Sequence, residues 1–352
     1  MSFTKLDPTD FVVSSDSVTA PAWSTNAPTL TSFYTLSGNA TGSYYIDVYQ
    51  TASTDSAAAV QFSIAYGHVY GYGSAPLNPL VTQNTPSRIT FGQYRNLIYG
   101  DAESAVNFGT GNTSSLDLIA IPIDRNRYKG NLFPGTFNLI LSGSNNAQLG
   151  TPTVLKLTDN SNDISTVTYL DCGRAFDIIS GSNGTAANSP VLPGSSGKGY
   201  TASGSYGLFL PDIGLIVLNP KALSISNAPT SGGLGISFST STAASSGWYN
   251  NNLVFNAIAT GSSFSLNSQE TISSDYVFVR IKNGEYNYTS NPSFISGSGN
   301  LIYSNFINSP QTYMTTVGMY NNNNELLAVA KLSKPLVKDF TKEALVRVKL
   351  DW

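Results

Sequence analysis

The stretch that most restricts what this chain can fold into runs from Asn300 to Trp352. Tyr313 to Tyr320 is dense in β-branched and aromatic residues, Asn321 to Asn324 tolerate positive φ, and Glu325 to Ala330 resume the apolar text. That order spells a hairpin. After a charged connection, Val346, Val348 and Leu350 alternate with Arg347, Lys349 and Asp351. A period of two puts the first set on one face and the second on the other, the pattern of a half-buried strand. With no tail after Trp352, the closing strand is expected to pack into a sheet.

The same residues carry a resemblance. Thr315-Thr316-Val317-Gly318-Met319-Tyr320, the run Asn324 to Pro335, Lys338-Asp339-Phe340 and Glu343 to Asp351 resemble a hairpin of structural proteins in contractile-tailed bacteriophages. Ser87 to Leu97 and Asp124 to Lys129 are similar to further segments of such proteins. The likeness covers roughly a third of the chain and leaves out the middle. It implies a virion structural protein of the tail, a baseplate (wedge-type) or tail-attachment component assembled in the host cytoplasm, and it brings no catalytic residue.

Composition agrees with a β fold built for contact. Charged residues make up 11% of the chain, under half the usual ~25%. Gly, Ser, Thr and Asn fill the difference, with 20 Tyr and 17 Phe as large side chains. Such a surface has little colloidal repulsion and suits an assembly better than free solution. A net charge of −3 leaves no electrostatic footprint for nucleic acid. A single cysteine, Cys172, rules out an intrachain disulfide framework and fits folding in a reducing compartment. No signal peptide is expected from Met1 to Asp10, and the apolar run around Gly207 to Leu218 is broken and too short to span a bilayer.

Read in order, residues 1–32 are expected as an extended arm, either ordered on a neighbouring subunit or loose. Ser43 to Tyr49 and Ala58 to Tyr66 read as a hairpin. Gly67 to Ser74 interleaves glycine with rings, a glycine-bent loop over a core edge or a subunit contact. Ile89 to Tyr99 is the one clear helix, with Ser87 as cap, Phe91, Tyr94, Leu97 and Ile98 as its stripe, and Gly100 as its stop. Leu116 to Ile123 reads as a strand, with Thr136 to Leu141 as the partner of the segment that follows the basic turn Asp124 to Gly130. Between 145 and 274 short strand candidates (Ile164 to Leu170 and Leu234 to Phe238 among them) alternate with Gly/Ser/Asn clusters. Leu253 to Ile258 reads equally as a strand or as little more than one helical turn. The fold expected is therefore mainly β: a β-sandwich-like sheet domain (33–144 with 275–352), one short helix, and an inserted smaller all-β domain (145–274).

Catalytic chemistry is thin. His68 is the only histidine, so multi-histidine metal sites within one chain are excluded. A serine triad would need His68, and no G-x-S-x-G elbow is present. Gly194 to Tyr200 lacks the spacing and the hydroxyl of a phosphate loop. Asp159 to Asp163 alternates oxygen ligands but lacks the glycine and glutamate of a calcium loop, which favours an Asx-rich turn. Acidic residues fall in pairs (Asp101 with Glu103, Asp171 with Asp177) that a glycosidase would have to bring together in the fold. Neither enzyme nor cofactor is expected. The expected partners are other tail and baseplate proteins, in multiple copies per particle, with neither nucleic acid nor membrane insertion. The alternatives are a receptor- or glycan-binding fibre or collar module, touching host-surface glycan through platforms such as Trp248-Tyr249 or Tyr286 with Tyr288, and a neck protein. The candidate interface residues are Phe11 and Val12 on the arm, Arg125, Arg127 and Lys129 in the basic turn, and Tyr313, Lys331, Lys334, Lys338, Arg347 and Trp352 near the C-terminus. For the C-terminal cations a mixed, solvated sheet face is the alternative.

Overall fold

The computed structural model describes residues 4–36, 44–76, 78, 80, 84–109, 114–143, 154–188, 198–225, 232–242, 246–287 and 291–351. The protein is mainly β. The strands are β1 (Phe11–Pro21), β2 (Thr29–Leu30), β3 (Ile46–Tyr49), β4 (Val60–His68), β5 (Val106–Asn107), β6 (Ser114–Ser115), β7 (Asp117–Pro122), β8 (Asn131–Leu132), β9 (Asn138–Ser142) and β10 (Val154–Asp159). They continue as β11 (Thr168–Leu170), β12 (Gly173–Ser182), β13 (Thr185–Ala186), β14 (Gly207–Leu210), β15 (Leu215–Leu218), β16 (Ser263–Ser265), β17 (Asn267–Ile281), β18 (Thr312–Tyr320), β19 (Leu326–Lys338) and β20 (Ala344–Asp351). The helices are α1 (Pro86–Tyr99), α2 (Pro220–Ser224), α3 (Ser246–Gly261) and α4 (Ser304–Asn308).

The chain divides into two compact units, one from Val18 to Glu270 and a discontinuous one of Met1–Ser17 with Thr271–Trp352. Residues 33–144 fall in the same unit as 145–270. Strands β10, β12, β14 and β15 lie in one sheet with β3, β4, β7 and β9, in the order β2-β16-β9-β10-β12-β14-β15-β7-β4-β3, with β11 and β13 pairing β12 off this path to make twelve strands among the described residues. The short strands read as a separate domain are the middle of this sheet.

The larger unit is organised by strands buried on both faces. In β7, Ile119 and Ile121 face one hydrophobic cluster while Leu118 and Ala120 face another. β15 splits likewise, Ile216 and Leu218 against Leu215 and Val217. Two covered faces explain why these strands are continuous apolar runs rather than alternating ones. The first cluster is aromatic at its centre: the Phe264 ring lies 4.8 Å from Trp23, 5.3 Å from Phe62 and 5.9 Å from Phe137, each edge-on. Val254, Ala257 and Ile258 of α3 close it. The second is capped by Phe91 and Ile98 of α1.

Helix α1 forms as its signals dictate, with two changes. Thr85, not Ser87, is the N-cap, its hydroxyl accepting from the Arg88 N–H, and Gly100 ends the helix at φ 67°. Ser87 is buried in the first turn and bonds Ser74 instead. Of the expected stripe Leu97 is exposed, and Arg95 is buried in its place, its guanidinium 3.9 Å from the Tyr99 ring. The helix lies so close to β4 that a Cβ at Gly67 would sit 2.7 Å from the Phe91 nitrogen, so only glycine fits there.

One helix was expected and four are present among the described residues. Helix α3 is rich in asparagine, a weak helix former, and its tertiary bonds outweigh that weakness. Asn251 accepts from the Tyr66 N–H at 2.7 Å and donates to the Tyr44 carbonyl at 3.0 Å, while Asn250 clasps both backbone groups of Ser239. Other differences are local. Leu234 to Phe238 form no strand, β11 keeps only the end of Ile164 to Leu170, and β9 pairs with β10 and β16. Residues 4–32 are no loose arm: β1 hydrogen-bonds to β17, and Ala22, Trp23 and Leu30 are buried in the larger unit's core.

The smaller unit is thin. Strands β1, β17 and β20 form a sheet in that order, and β17 pairs with β20 in unbroken register from Ser274↔Asp351 to Ile281↔Ala344. The β18–β19 hairpin lays Val317, Met319, Ala330 and Leu332 against Val277, Val346 and Val348, the cluster's three buried residues. The period-two reading of the closing strand holds, since Val346 and Val348 are buried while Arg347 and Lys349 are exposed. The turn also forms as expected, with Asn324 at φ 61°.

Candidate interaction surface

Strand β1 is an edge strand of eleven residues whose side chains are exposed along almost its whole length. Phe11, Val12, Val13 and Val18 all stand in solvent. Edges of this kind are ordinarily blunted by lysine, proline or a bulge because their open ladder recruits other strands. β1 carries one charge, Asp16, and its proline, Pro21, comes at the last position. Its start is fixed: Asp10 accepts from the Arg280 Nε at 3.1 Å.

The hairpin adds a second exposed surface. Opposite its packed side, Gly318 pairs with Val329 and Tyr320 with Leu326, and Val329, Tyr320 and Leu326 are all exposed. Leu327 is the extra residue where the register shifts, 68% exposed; a bulge turns such a side chain outward. A second irregularity falls between the Met314↔Leu336 and Thr316↔Lys331 pairs, where Pro335 lacks a ladder N–H. Tyr313 is exposed beside it.

The cations expected to form an interface divide. Lys331, Lys334 and Arg347 are exposed, Arg347 with its guanidinium 5.5 Å from the Tyr276 ring. Arg125 is exposed but turned inward on its own loop, donating to the Tyr128 and Lys129 carbonyls and stacking 4.5 Å from the Tyr128 ring. Lys129 pairs with Glu270 at 3.2 Å, and Arg127 is half-buried. Of the three, Arg125 holds its own turn together. Lys338 overturns its expectation outright: it is fully buried, its Nζ donating to the Asn283 carbonyl at 2.8 Å, Asn287 Oδ1 at 3.0 Å and the Asp339 carbonyl at 2.9 Å. All three ammonium donors are used, so it offers a partner nothing. The pattern of lysines every three or four residues conceals this, because strand position alone does not show which end of β19 turns into the unit. Trp352, the side chain of Trp248, and Tyr288 lie outside the described residues.

The residues weighed for chemistry have structural roles. His68 is buried, and its Nδ1 accepts from the Tyr70 N–H at 3.1 Å. Burial pushes its imidazole below the usual value, against the opposing pull of Asp117. Asp159 is buried and takes the Gly135 and Ser161 N–H groups on its carboxylate, which makes the Asp159 to Asp163 segment an Asx turn. Asp177 accepts from the Tyr200 hydroxyl at 2.9 Å. Cys172 is half-buried against the α1-side cluster, and burial raises its thiol. Of the glycine-rich loop, Gly194 to Gly197 lie outside the described residues; Lys198 reaches Asn188 at 3.4 Å. Among the described residues no group of three or more His, Cys, Asp or Glu could hold a metal, and no helix is long and apolar enough to cross a membrane.

No protein family, curated protein or solved structure matches the chain.

Proposed function

We propose that this protein is a structural subunit that works by assembly, a component of a contractile phage tail whose smaller unit is completed by neighbouring subunits. The observation that carries the reading is β1, a long, nearly unblunted edge strand with apolar side chains exposed. An open ladder offers main-chain hydrogen bonds, and alternate side chains offer specificity, to an incoming strand. The exposed apolar side of the hairpin adds area of the kind that oligomer interfaces bury. The sequence resemblance to tail structural proteins supplies the setting, and baseplate wedge is the position it favours.

Receptor binding has one observation in its favour. Tyr70 and Tyr72 are exposed, their rings 6.1 Å apart and both packed on His68, and ring pairs of this kind stack on sugar faces. Cryo-electron microscopy of the virion tests both readings. The assembly reading expects several copies around the tail axis with β1 and the outer hairpin face covered by other subunits. A chain absent from particles overturns it. So does one found only at a fibre tip with β1 bare and Tyr70 and Tyr72 outward, which would favour the receptor reading.

A further inference from the structure

The buried lysine lies beside a feature that the assembly reading does not use. In the smaller unit Gly284, Tyr286, Asn287, Phe306, Ile307 and Phe340 are among the residues that line an open groove of about 440 Å³. One wall is the loop that follows β17. That loop is tightly determined: Lys282 N–H donates to Glu285 Oε2 at 2.9 Å, Asn287 Nδ2 to the Asn283 carbonyl at 2.6 Å, and Thr312 Oγ1 to the Tyr286 carbonyl at 2.5 Å. Lys338 ties both Asn283 and Asn287 to the end of β19.

Within this frame Tyr286 has φ 54°. A bulky side chain in the left-handed region is strained and persists only where its surroundings over-determine it; such strain clusters at binding and functional sites. Burying an ammonium with no carboxylate against it is also costly unless its donors are satisfied, and here three neutral acceptors satisfy it. Two costly features thus fix one wall of one groove.

We propose that the groove is an anchor site for an apolar side chain, aromatic or long aliphatic, on an uncharged polypeptide segment of an assembly partner. Its chemistry selects that occupant. Among the described residues the lining holds no charged side chain. Its polar groups are already engaged: the Asn287 amide is used on both sides, and the Tyr286 hydroxyl meets Thr4 Oγ1 at 2.8 Å. A charged group entering would lose its water unpaired, and a sugar would find its hydroxyls unmatched. An apolar side chain loses only apolar contact with water, and a small pocket set in a wider contact is where interface hot spots form. The partner's existence rests on the assembly reading; the groove's selectivity does not.

The test uses the full chain and amide NMR with three probes: acetyl-Ser-Phe-Ser-amide, acetyl-Ser-Lys-Ser-amide and N-acetylglucosamine. The phenylalanine peptide is expected to shift amides of residues 284–287 and 306–309 saturably, with a dissociation constant on the order of millimolar for so small a ligand, while the other two probes leave them in place. Ile307→Lys, on the exposed rim, should weaken that binding at least about tenfold. Lys338→Met should weaken it several-fold with amides of the larger unit unmoved. Shifts that are absent or scattered, an equal response to the sugar or lysine probe, or groove signals that change with protein concentration alone (a second copy as occupant) overturn the proposal. Failure here leaves the covering of β1 in the virion untouched. A bare β1 with a saturable groove would instead remove the assembly reading and keep the site.

Discussion

The two units solve the problem of burying apolar surface in opposite ways. In the larger, β7, β14 and β15 are covered on both faces, and Trp23, Phe62, Phe137, Phe209 and Phe264 meet in one cluster with almost no exposure. In the smaller, two layers of strands enclose a cluster of three buried valines, while Phe11, Val13, Val329, Leu336, Phe340 and Leu345 remain in solvent. Both units draw on the same residue types. What differs is whether the chain supplies its own second cover, α1 and α3 in one case and nothing further among the described residues in the other. A unit that leaves its cover to a partner is expected to be marginal alone and to gain stability on assembly.

Substitutions can break this contrast, and the largest effect belongs to the larger core. Phe264→Ala should destabilise by about 3–5 kcal/mol, since it leaves a cavity among three rings; a urea melt that moves by less than a third of that would deny the packing described. Lys338→Met orphans Asn287 Oδ1 and should cost about 1–3 kcal/mol, read in the same melts and confined to the smaller unit. Val348→Ala should cost about 1–2 kcal/mol, two methylene equivalents at a site able to collapse. A loss as large as that at Phe264 would mean that the thin sandwich is packed as tightly as the thick one.

Asp177 sharpens the comparison from the polar side. Burial holds its carboxyl above the usual value even though the Tyr200 hydroxyl donates to it. The folded state therefore keeps this proton more firmly than the unfolded chain, and stability falls as pH rises from the ordinary carboxylate range through the raised value. Asp177→Asn is expected to be more stable than the parent at pH 7, with the gap closing as the pH falls through the raised value and gone by about 4. A gap that widens toward acid would reverse the assignment. Smallest of all, Val329→Lys on the open hairpin face should change stability by no more than about 0.5 kcal/mol, and under the proposed assembly role it should abolish incorporation into particles. Loss of folding instead would place that face inside the unit.

Local chemistry was legible where it was decided locally. The β3–β4 and β18–β19 hairpins, the alternation of β20, and α1 up to its Gly100 stop rest on turn residues and periodicity that a single segment carries. The unit boundary was not legible, because β10 to β15 are short and punctuated by glycine in the sequence yet pair into the centre of one sheet. Periodicity does not report pairing partners. Helix α3 was hidden by its asparagines, of which Asn251 shows its value only in bonds to Tyr66 and Tyr44, far away in the chain. Of the surface, Phe11, Val12 and Tyr313 were readable as apolar residues in polar text. Lys338 was not, because burial of a lysine depends on carbonyls from residues 283 and 287 that only the fold brings to it.

Native-state hydrogen exchange on the unassembled chain tests the contrast between the units most directly. If the smaller unit awaits its cover, amides of β17 beyond Thr271, β18, β19 and β20 should open together at a free energy well below that of β7, β14 and β15, which should exchange only through global unfolding. Equal protection across both sets would show that the smaller unit is complete as it stands, and would contradict the view that its exposed strand and hairpin are there to be covered.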